Sequence, residues 1–303
     1  MSSLSVGIVG LPNAGKSTLF NALLSRQMAA VASFPFTTIE PNVGIVPVPD
    51  ERLEKLSQLL KPKLTTPASV EFIDIAGLIK GAHQGEGLGN QFLAKIREVT
   101  LVVQVVRFFE NPDVSHYYET LDPVRDIEIV DLELELGGIK KPTLYVLNVS
   151  ENQLKDGNLP KEIKIGQKEI ELIPVCAKLE AELADFAADE RALYLKEMGI
   201  AESGLDKLVK KAYQKLGLIT FYTIKGGKEV RAWSLPKGET AFDAAAEVHT
   251  DMAKGFIKAE VISFTDLDNL GAWLQAAQAG KMHLEGKDYP LRDGDVVEFK
   301  FNV

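Results

Sequence analysis

Ser5-Val-Gly-Ile-Val9, then Gly10-Leu-Pro-Asn-Ala-Gly15-Lys16-Ser17-Thr18, then Leu19-Phe-Asn-Ala-Leu-Leu24: this stretch decides the fold. The first five residues read as a buried strand, the middle holds a full G-x-x-x-x-G-K-[ST] pattern, and the last six continue at helical spacing. Strand, glycine loop and helix in that order make a phosphate cradle. The glycines let the backbone wrap a phosphate chain, successive N–H groups point inward, and the helix N-terminus adds positive potential at the same place. Asn13, Ala14, Gly15, Lys16, Ser17 and Thr18 are the expected contacts on the phosphate side. Lys16 is expected to reach the β and γ phosphates and to act in catalysis, and the Ser17 hydroxyl to ligate Mg²⁺. A lysine in a glycine-rich turn is otherwise merely solvated, and the flanking strand and helix argue against that here.

Outward from the loop, residues 70–75 (VEFIDI), 101–106 (LVVQVV), 143–147 (TLYVL) and 171–175 (ELIPV) are apolar runs too continuous for half-exposed strands. Residues 16–24, 50–60, 88–98 and 205–216 carry apolar side chains near helical spacing. They are expected to cover both faces of a mostly parallel sheet, an α/β domain. After about residue 217 the texture changes to short strands at 220–223, 230–234 and 296–301, with one helix near 242–252 and turn signals at Gly226-Gly227 and Asp293-Gly294. The expected organisation is a nucleotide-binding domain over 1–216 and a small α+β domain over 217–303.

A phosphate loop needs an acid at the end of a neighbouring strand if it is to handle a metal nucleotide. Asp74 lies next to the end of the 70–75 run and Gly77 follows in a D-x-x-G arrangement, so Asp74 is expected near Mg²⁺ and the Gly77 N–H near a γ-phosphate. Alone, such an aspartate is often only a helix cap. Thr38, in FPFTTIEPN, is the expected third metal-side group. The base is expected at Asn148-Val149-Ser150-Glu151, after the 143–147 strand, where guanine-binding proteins carry N-K-x-D. An amide can read adenine with two contacts, and with valine at 149 and glutamate at 151 a clamp on guanine is weakened. Cys176, Ala177 and Lys178 are placed to back the base from the other side. ATP is favoured and GTP stays open. Leu78 occupies the place where a glutamine orients water in related chemistry, which predicts slow hydrolysis unless another group, a monovalent cation or a partner assists. His116 is the candidate group, and residues 81–89 (GAHQGEGLG) read as a switch segment.

The 303 residues hold 34 Lys plus Arg against 43 Asp plus Glu, a formal charge of −9 that weighs against a broad nucleic-acid surface. The single Cys176 excludes intrachain disulfides and a four-cysteine zinc site, and His83, His116, His249 and His283 show no metal-ligand spacing. A cytoplasmic setting without membrane association is expected, because no apolar run is long enough to span and no secretory signal precedes the first strand.

With these stretches in place, the chain resembles the Obg-like P-loop ATPases, specifically the YchF subfamily of the TRAFAC class. The likeness runs through GLPNAGKSTLFNAL, FPFTTIEPNVGIVPVPDERL, FIDIAGLIKGAHQGEGLGNQFLAKIRE, FFENPDVSH, NVSE and PVCAKLE. Toward the end, KEVRAWSLPKG, AAEVHTDMAKGFIKAEVISF and GKDYPLRDGDVVEFKFNV resemble that subfamily's TGS domain, which is of β-grasp type. The resemblance implies an ATP-preferring, Mg²⁺-dependent hydrolase of the cytoplasm that associates with ribosomes or their subunits. Contact with RNA through the TGS-like domain and a monomeric state are further expectations. One departure stands out. The subfamily carries a long helical insertion before the NVSE strand, whereas here LELEL at 132–136 passes through Gly137-Gly138 to Lys140-Lys141-Pro142. The insertion is either lost or cut out of the sequence as it stands, and 132–136 reads as the start of a helix that stops abruptly.

Overall fold

The computed structural model describes residues 4–31, 42–75, 88–226 and 228–302. In chain order the first elements are β1 (Ser5–Val9), α1 (Lys16–Val31), β2 (Val43–Pro47), α2 (Glu51–Leu60), β3 (Leu64–Thr66), β4 (Ser69–Asp74) and α3 (Leu88–Glu98). Next come β5 (Leu101–Arg107), α4 (Pro123–Leu136), β6 (Thr143–Asn148), α5 (Glu151–Asp156), β7 (Glu162–Ile165), β8 (Lys168–Val175) and α6 (Ala177–Glu182). Then follow α7 (Ala188–Glu197), α8 (Gly204–Lys215), β9 (Leu218–Lys225), β10 (Glu229–Pro236), α9 (Ala241–Val248) and α10 (Thr250–Lys254). The last are β11 (Phe256–Ser263), α11 (Phe264–Leu270), α12 (Trp273–Gln278), β12 (His283–Glu285) and β13 (Asp295–Phe301).

Two compact units emerge: Met1–Val46 with Val70–Lys215, and Pro47–Ser69 with Leu216–Val303. The first is built on a sheet of order β2-β4-β1-β5-β6-β8-β7. Strands β4, β1, β5, β6 and β8 run parallel, and β7 pairs antiparallel with β8. Every residue of β1 and β5 is buried, as the unbroken apolar runs require of strands covered on both faces. A fully buried valine, leucine or isoleucine stabilises by about 1.5–3 kcal/mol, so this central pair outweighs any single cap or ion pair. Arg26 fastens α1 to α6 and α8 by bonding Glu180, Asp206 and the Ser203 hydroxyl.

The second unit is a sheet of order β12-β11-β13-β9-β10-β3. Hairpin β9–β10 and the antiparallel pair β11–β13 are joined by a parallel β9–β13 contact, a β-grasp arrangement. Phe221, Tyr222 and Phe299 are buried, and α9 packs Ala241, Ala244 and Ala245 into the same core as Phe221 and Phe299. These strand aromatics are core, not an exposed stacking platform.

Three expectations change. Residues 47–69 fall in one compact unit with 216–303, so the boundary at 216/217 describes only part of the division. The reason is local: Asp50 caps α2 through Arg52 N, accepts from the Tyr222 hydroxyl, and shares Arg52 with Asp293, while β3 pairs with the edge of β10. The helix expected at 242–252 is two helices, because His249 takes an extended conformation (φ −166°) that ends α9 and caps α10. The abrupt helix at 132–136 is the last part of α4, closed by Gly137 N on Glu133 O and Ile139 N on Leu134 O before β6 begins at Thr143.

Candidate functional site

β1 lies between β4 and β5, with strands added in both directions from it. That is where a parallel sheet opens a crevice at its carboxyl edge. The chain leaves β1 and enters α1 through residues 10–15. Gly15 has φ +93°, and a Cβ there would stand 2.1 Å from Asn148 Nδ2; at Gly10 it would stand 2.4 Å from the Val105 carbonyl oxygen. Side chains at either position would push the loop off β5 and β6. Asn13 takes φ +62°, a conformation asparagine tolerates, and its Nδ2 donates to Ser115 O at 3.2 Å.

Lys16 is the first residue of α1, is only 9% exposed, and donates from Nζ to Leu11 O at 2.7 Å. Burial pulls its pKa down to about 8, with the Asp74 carboxylate opposing the shift. Asp74 ends β4 in register with Ile8 of β1; burial raises its pKa while Lys16 and Lys95 hold it back. Ser17 and Thr18 are exposed beside the buried lysine.

Asn148 has a task the sequence did not announce. Its Nδ2 donates to Ala14 O at 2.9 Å and its Oδ1 accepts from Ala177 N at 3.1 Å, so a 4%-exposed amide staples the 10–15 loop to the start of α6. An amide has two N–H donors and an oxygen with two lone pairs. One N–H and one lone pair therefore remain for a base, and the expected free two-contact reading is corrected to that extent. Glu151 opens α5 and pairs with Lys155 at 2.7 Å. Val149 and Cys176 are buried, burial raising the thiol's pKa, and Lys178 is exposed beside Glu182 at 3.9 Å.

One pocket of about 680 Å³ collects these pieces. Its lining includes Asn13, residues 15–18, 148–152 and 176–179; of the expected base and phosphate contacts, Ala14 alone is not on the wall, being buried beneath it. Phe109, Glu110, Asn111 and Val114 form a further wall that sequence reading missed. The available signal was Arg107 closing a strand that is apolar but for Gln104 and followed by two phenylalanines. His116 is not on the wall. Its Nε2 lies 2.8 Å from Asp126 Oδ2, its Nδ1 accepts from Tyr118 N, and the side chain is buried, so in this arrangement the expected catalytic histidine is held away. Thr38, Gly77 and Leu78 lie outside the described residues, as do 81–87 of the expected switch, whose last two residues begin α3.

The donor set fits Mg²⁺. The Ser17 hydroxyl and the Asp74 carboxylate are hard oxygen donors. Among the described residues no group of three or more His, Cys, Asp or Glu side chains is arranged to hold a metal by itself. Such an ion would share its shell with phosphate oxygens. Among the described residues no helix is long and apolar enough to cross a membrane.

Comparison with known proteins follows the same outline. Residues 5–149 match a family model described as 50S ribosome-binding GTPase, and residues 218–302 match that of the YchF-GTPase C-terminal domain, described as of unknown function. The ribosome-binding ATPase YchF of Bacillus subtilis (strain 168) is 41% identical over 368 aligned positions, covering 99% of this chain and 100% of the relative. The protein of that name from Escherichia coli O157:H7 is also 41% identical, with 98% and 99% covered. These alignments are longer than the 303 residues here, so the relatives carry positions this chain lacks. The structure of the Schizosaccharomyces pombe YchF GTPase superposes with a TM-score of 0.84 at 29% identity, covering 99% of this chain and 98% of that one.

Proposed function

The chain belongs to the YchF family, and from that premise we propose that it binds ATP with Mg²⁺ in the 680 Å³ pocket, hydrolyses it slowly, and lets nucleotide state set its association with ribosomes or their subunits. The observation that carries this reading is the convergence of the 13–18 loop with residues 148–152 and 176–179 on one cavity. Phosphates meet the α1 N-terminus and Lys16, while the base meets the Asn148 loop. Ser17 and Asp74, with Thr38, would hold Mg²⁺, which when bound neutralises charge developing on the transferred phosphoryl group. Lys16 adds a cation in a water-poor place where its field is strong, and catalysis is chiefly positioning and electrostatics. With Leu78 unable to orient water, turnover waits on an added group. His116 released from Asp126, a monovalent cation or a ribosomal partner would supply it.

GTP is the second reading. The S. pombe relative is called a GTPase, residues 5–149 match a GTPase model, and the Glu151 carboxylate lines the pocket. Against it, Glu151 is already paired with Lys155, and valine stands at 149. The TGS-like character of the second unit points to RNA at the ribosome, but through surface groups, since Phe221, Tyr222 and Phe299 are interior. A cytoplasmic monomer is the simplest form consistent with this role.

Calorimetric titration with ATP and with GTP in Mg²⁺ buffer, on the native chain and on Lys16→Ala, tests the reading. Tighter ATP binding that is lost in the variant supports it. Tighter GTP binding moves the protein to the second reading, and undiminished binding in Lys16→Ala places the nucleotide elsewhere. Co-sedimentation with ribosomes in ATP and in ADP then tests the switch; equal recovery rules out nucleotide gating.

A further inference from the structure

β5 is an apolar strand that ends in a buried cation. Arg107 is 3% exposed, and among the described residues it makes no ion pair. Its donors go to main chain instead: Nε to Phe109 O at 3.2 Å, Nη1 to Ser115 O at 3.2 Å and Nη2 to Val114 O at 2.8 Å. The guanidinium carbon also lies 4.5 Å from the centre of the Phe109 ring. A position needing only bulk would be better filled by an apolar side chain, because desolvating a charge that has no directly bonded counter-charge, only the field of the nearby Asp126 carboxylate, is costly. The planar fork matters because it reaches carbonyls at both ends of one loop.

That loop is tied on two further sides. Ser115 O also accepts from Asn13 of the phosphate loop, and Phe108 N and Phe109 N both donate to Asn148 O, at 2.8 and 3.1 Å. Between these ties Phe109, Glu110, Asn111 and Val114 face the pocket. Lys16 and Ser17 mark the phosphate end of that pocket and residues 148–151 the base end, so a wall bonded to Asn148 borders the base and sugar.

We propose that Arg107 is a positioning residue: its guanidinium holds the 109–115 loop in the shape that makes Phe109 and Asn111 a wall for the nucleoside half of the ligand. It bonds to the loop and leaves the phosphates to Lys16, so it governs affinity for the nucleoside part and leaves the phosphate contacts alone. This assignment rests on the nucleotide-binding reading above.

The test compares the native chain with Arg107→Met, which keeps bulk and loses every donor, and Arg107→Lys, which keeps charge and loses the fork. KM and kcat for ATP are measured with Mg²⁺, together with Kd for ATP and for tripolyphosphate, a probe that has only the phosphate half. Arg107→Met is expected to raise KM and Kd for ATP by about tenfold, and Arg107→Lys by less. Both should leave kcat and the tripolyphosphate Kd within about twofold. ATP affinity unchanged in a folded variant overturns the proposal, and so does an equal loss of ATP and tripolyphosphate binding, the signature of a merely structural role. If Arg107→Met does not fold, Arg107→Lys carries the same comparison. A native chain that binds GTP and not ATP refutes the ATP reading alone, and the comparison is then made with GTP; a native chain that binds neither refutes both.

Discussion

The wall made by residues 10–18 is held by backbone conformation and one side-chain amide, whereas the wall made by residues 109–114 is held chiefly by one guanidinium, with further ties to Asn13 and to Asn148 O at its ends. In the first, Gly10 and Gly15 admit no Cβ without collision, and Asn148 bonds Ala14 O and Ala177 N. In the second, Arg107 bonds three carbonyls of a loop with no regular structure of its own. A loop shaped by sterics is legible as a motif, because only certain residues are compatible with it. A loop shaped by one side chain bonding main-chain carbonyls leaves almost no motif, because carbonyls place no demand on residue type.

If that contrast holds, the largest effect belongs to Lys16, the charge inside the sterically built wall. Lys16→Ala should weaken ATP binding by about a hundredfold or more, as loss of a charge-assisted phosphate contact implies. Calorimetry reads it, and a loss smaller than that of Arg107→Met would reverse the ranking of the walls. Next comes Asn148→Ala, which leaves the Ala14 carbonyl and the Ala177 N–H buried without their partner. At about 1–3 kcal/mol for each unsatisfied group, the variant should lose about 2–6 kcal/mol of stability, read from the urea midpoint. A loss under about 0.5 kcal/mol would show that the staple is incidental.

The walls should also differ in their response to pH. Lys16 has a pKa near 8, and an arriving triphosphate raises it. Affinity is then full below pH 8 and declines as pH rises through that value, with about half a proton taken up on binding at pH 8. Binding enthalpies in buffers of different ionisation heat measure this uptake. Zero uptake would mean that Lys16 is fully charged beforehand. Arg107, always protonated, contributes no such linkage. The smallest effect is expected for Glu151→Gln, which removes an exposed i,i+4 pair with Lys155. Stability should change little, because both partners of the pair are solvent-exposed. The ratio of GTP to ATP affinity should fall only if the carboxylate touches guanine, so an unchanged ratio removes Glu151 from base selection.

Much of the first unit was readable because its strands are buried on both faces and its loop motif is sterically determined. Strands at 5–9, 70–75, 101–106, 143–147 and 171–175 all appear, within a few residues of the expected ends. What escaped depends on partners far along the chain. Residues 47–69 read as an ordinary connector until Tyr222 and Asp293 are seen bonded to Asp50 and Arg52. β11 follows α10 with a bulge between Phe256 and Lys258 that blurs its alternation. His116 has its lock in Asp126 on α4, and no periodicity announces a side chain that bonds a loop. Asn148 is expected as a base contact from its place in a motif, but its prior engagement could be seen only with the positions of Ala14 and Ala177.

The junction between α4 and β6 gives the fold a property of a different kind. The helix is closed by Ile139, β6 starts at Thr143, and a Cβ on Gly138 would meet nothing within 4 Å. The helix of the β5-to-β6 crossover thus ends at a point that opens outward, before β6 begins. Residues added there need only leave and return at one place, a closure whose entropy grows slowly with length. For protein engineering this makes position 138 a docking port, where a reporter or binding module can be spliced into the loop while the seven-stranded sheet keeps its register.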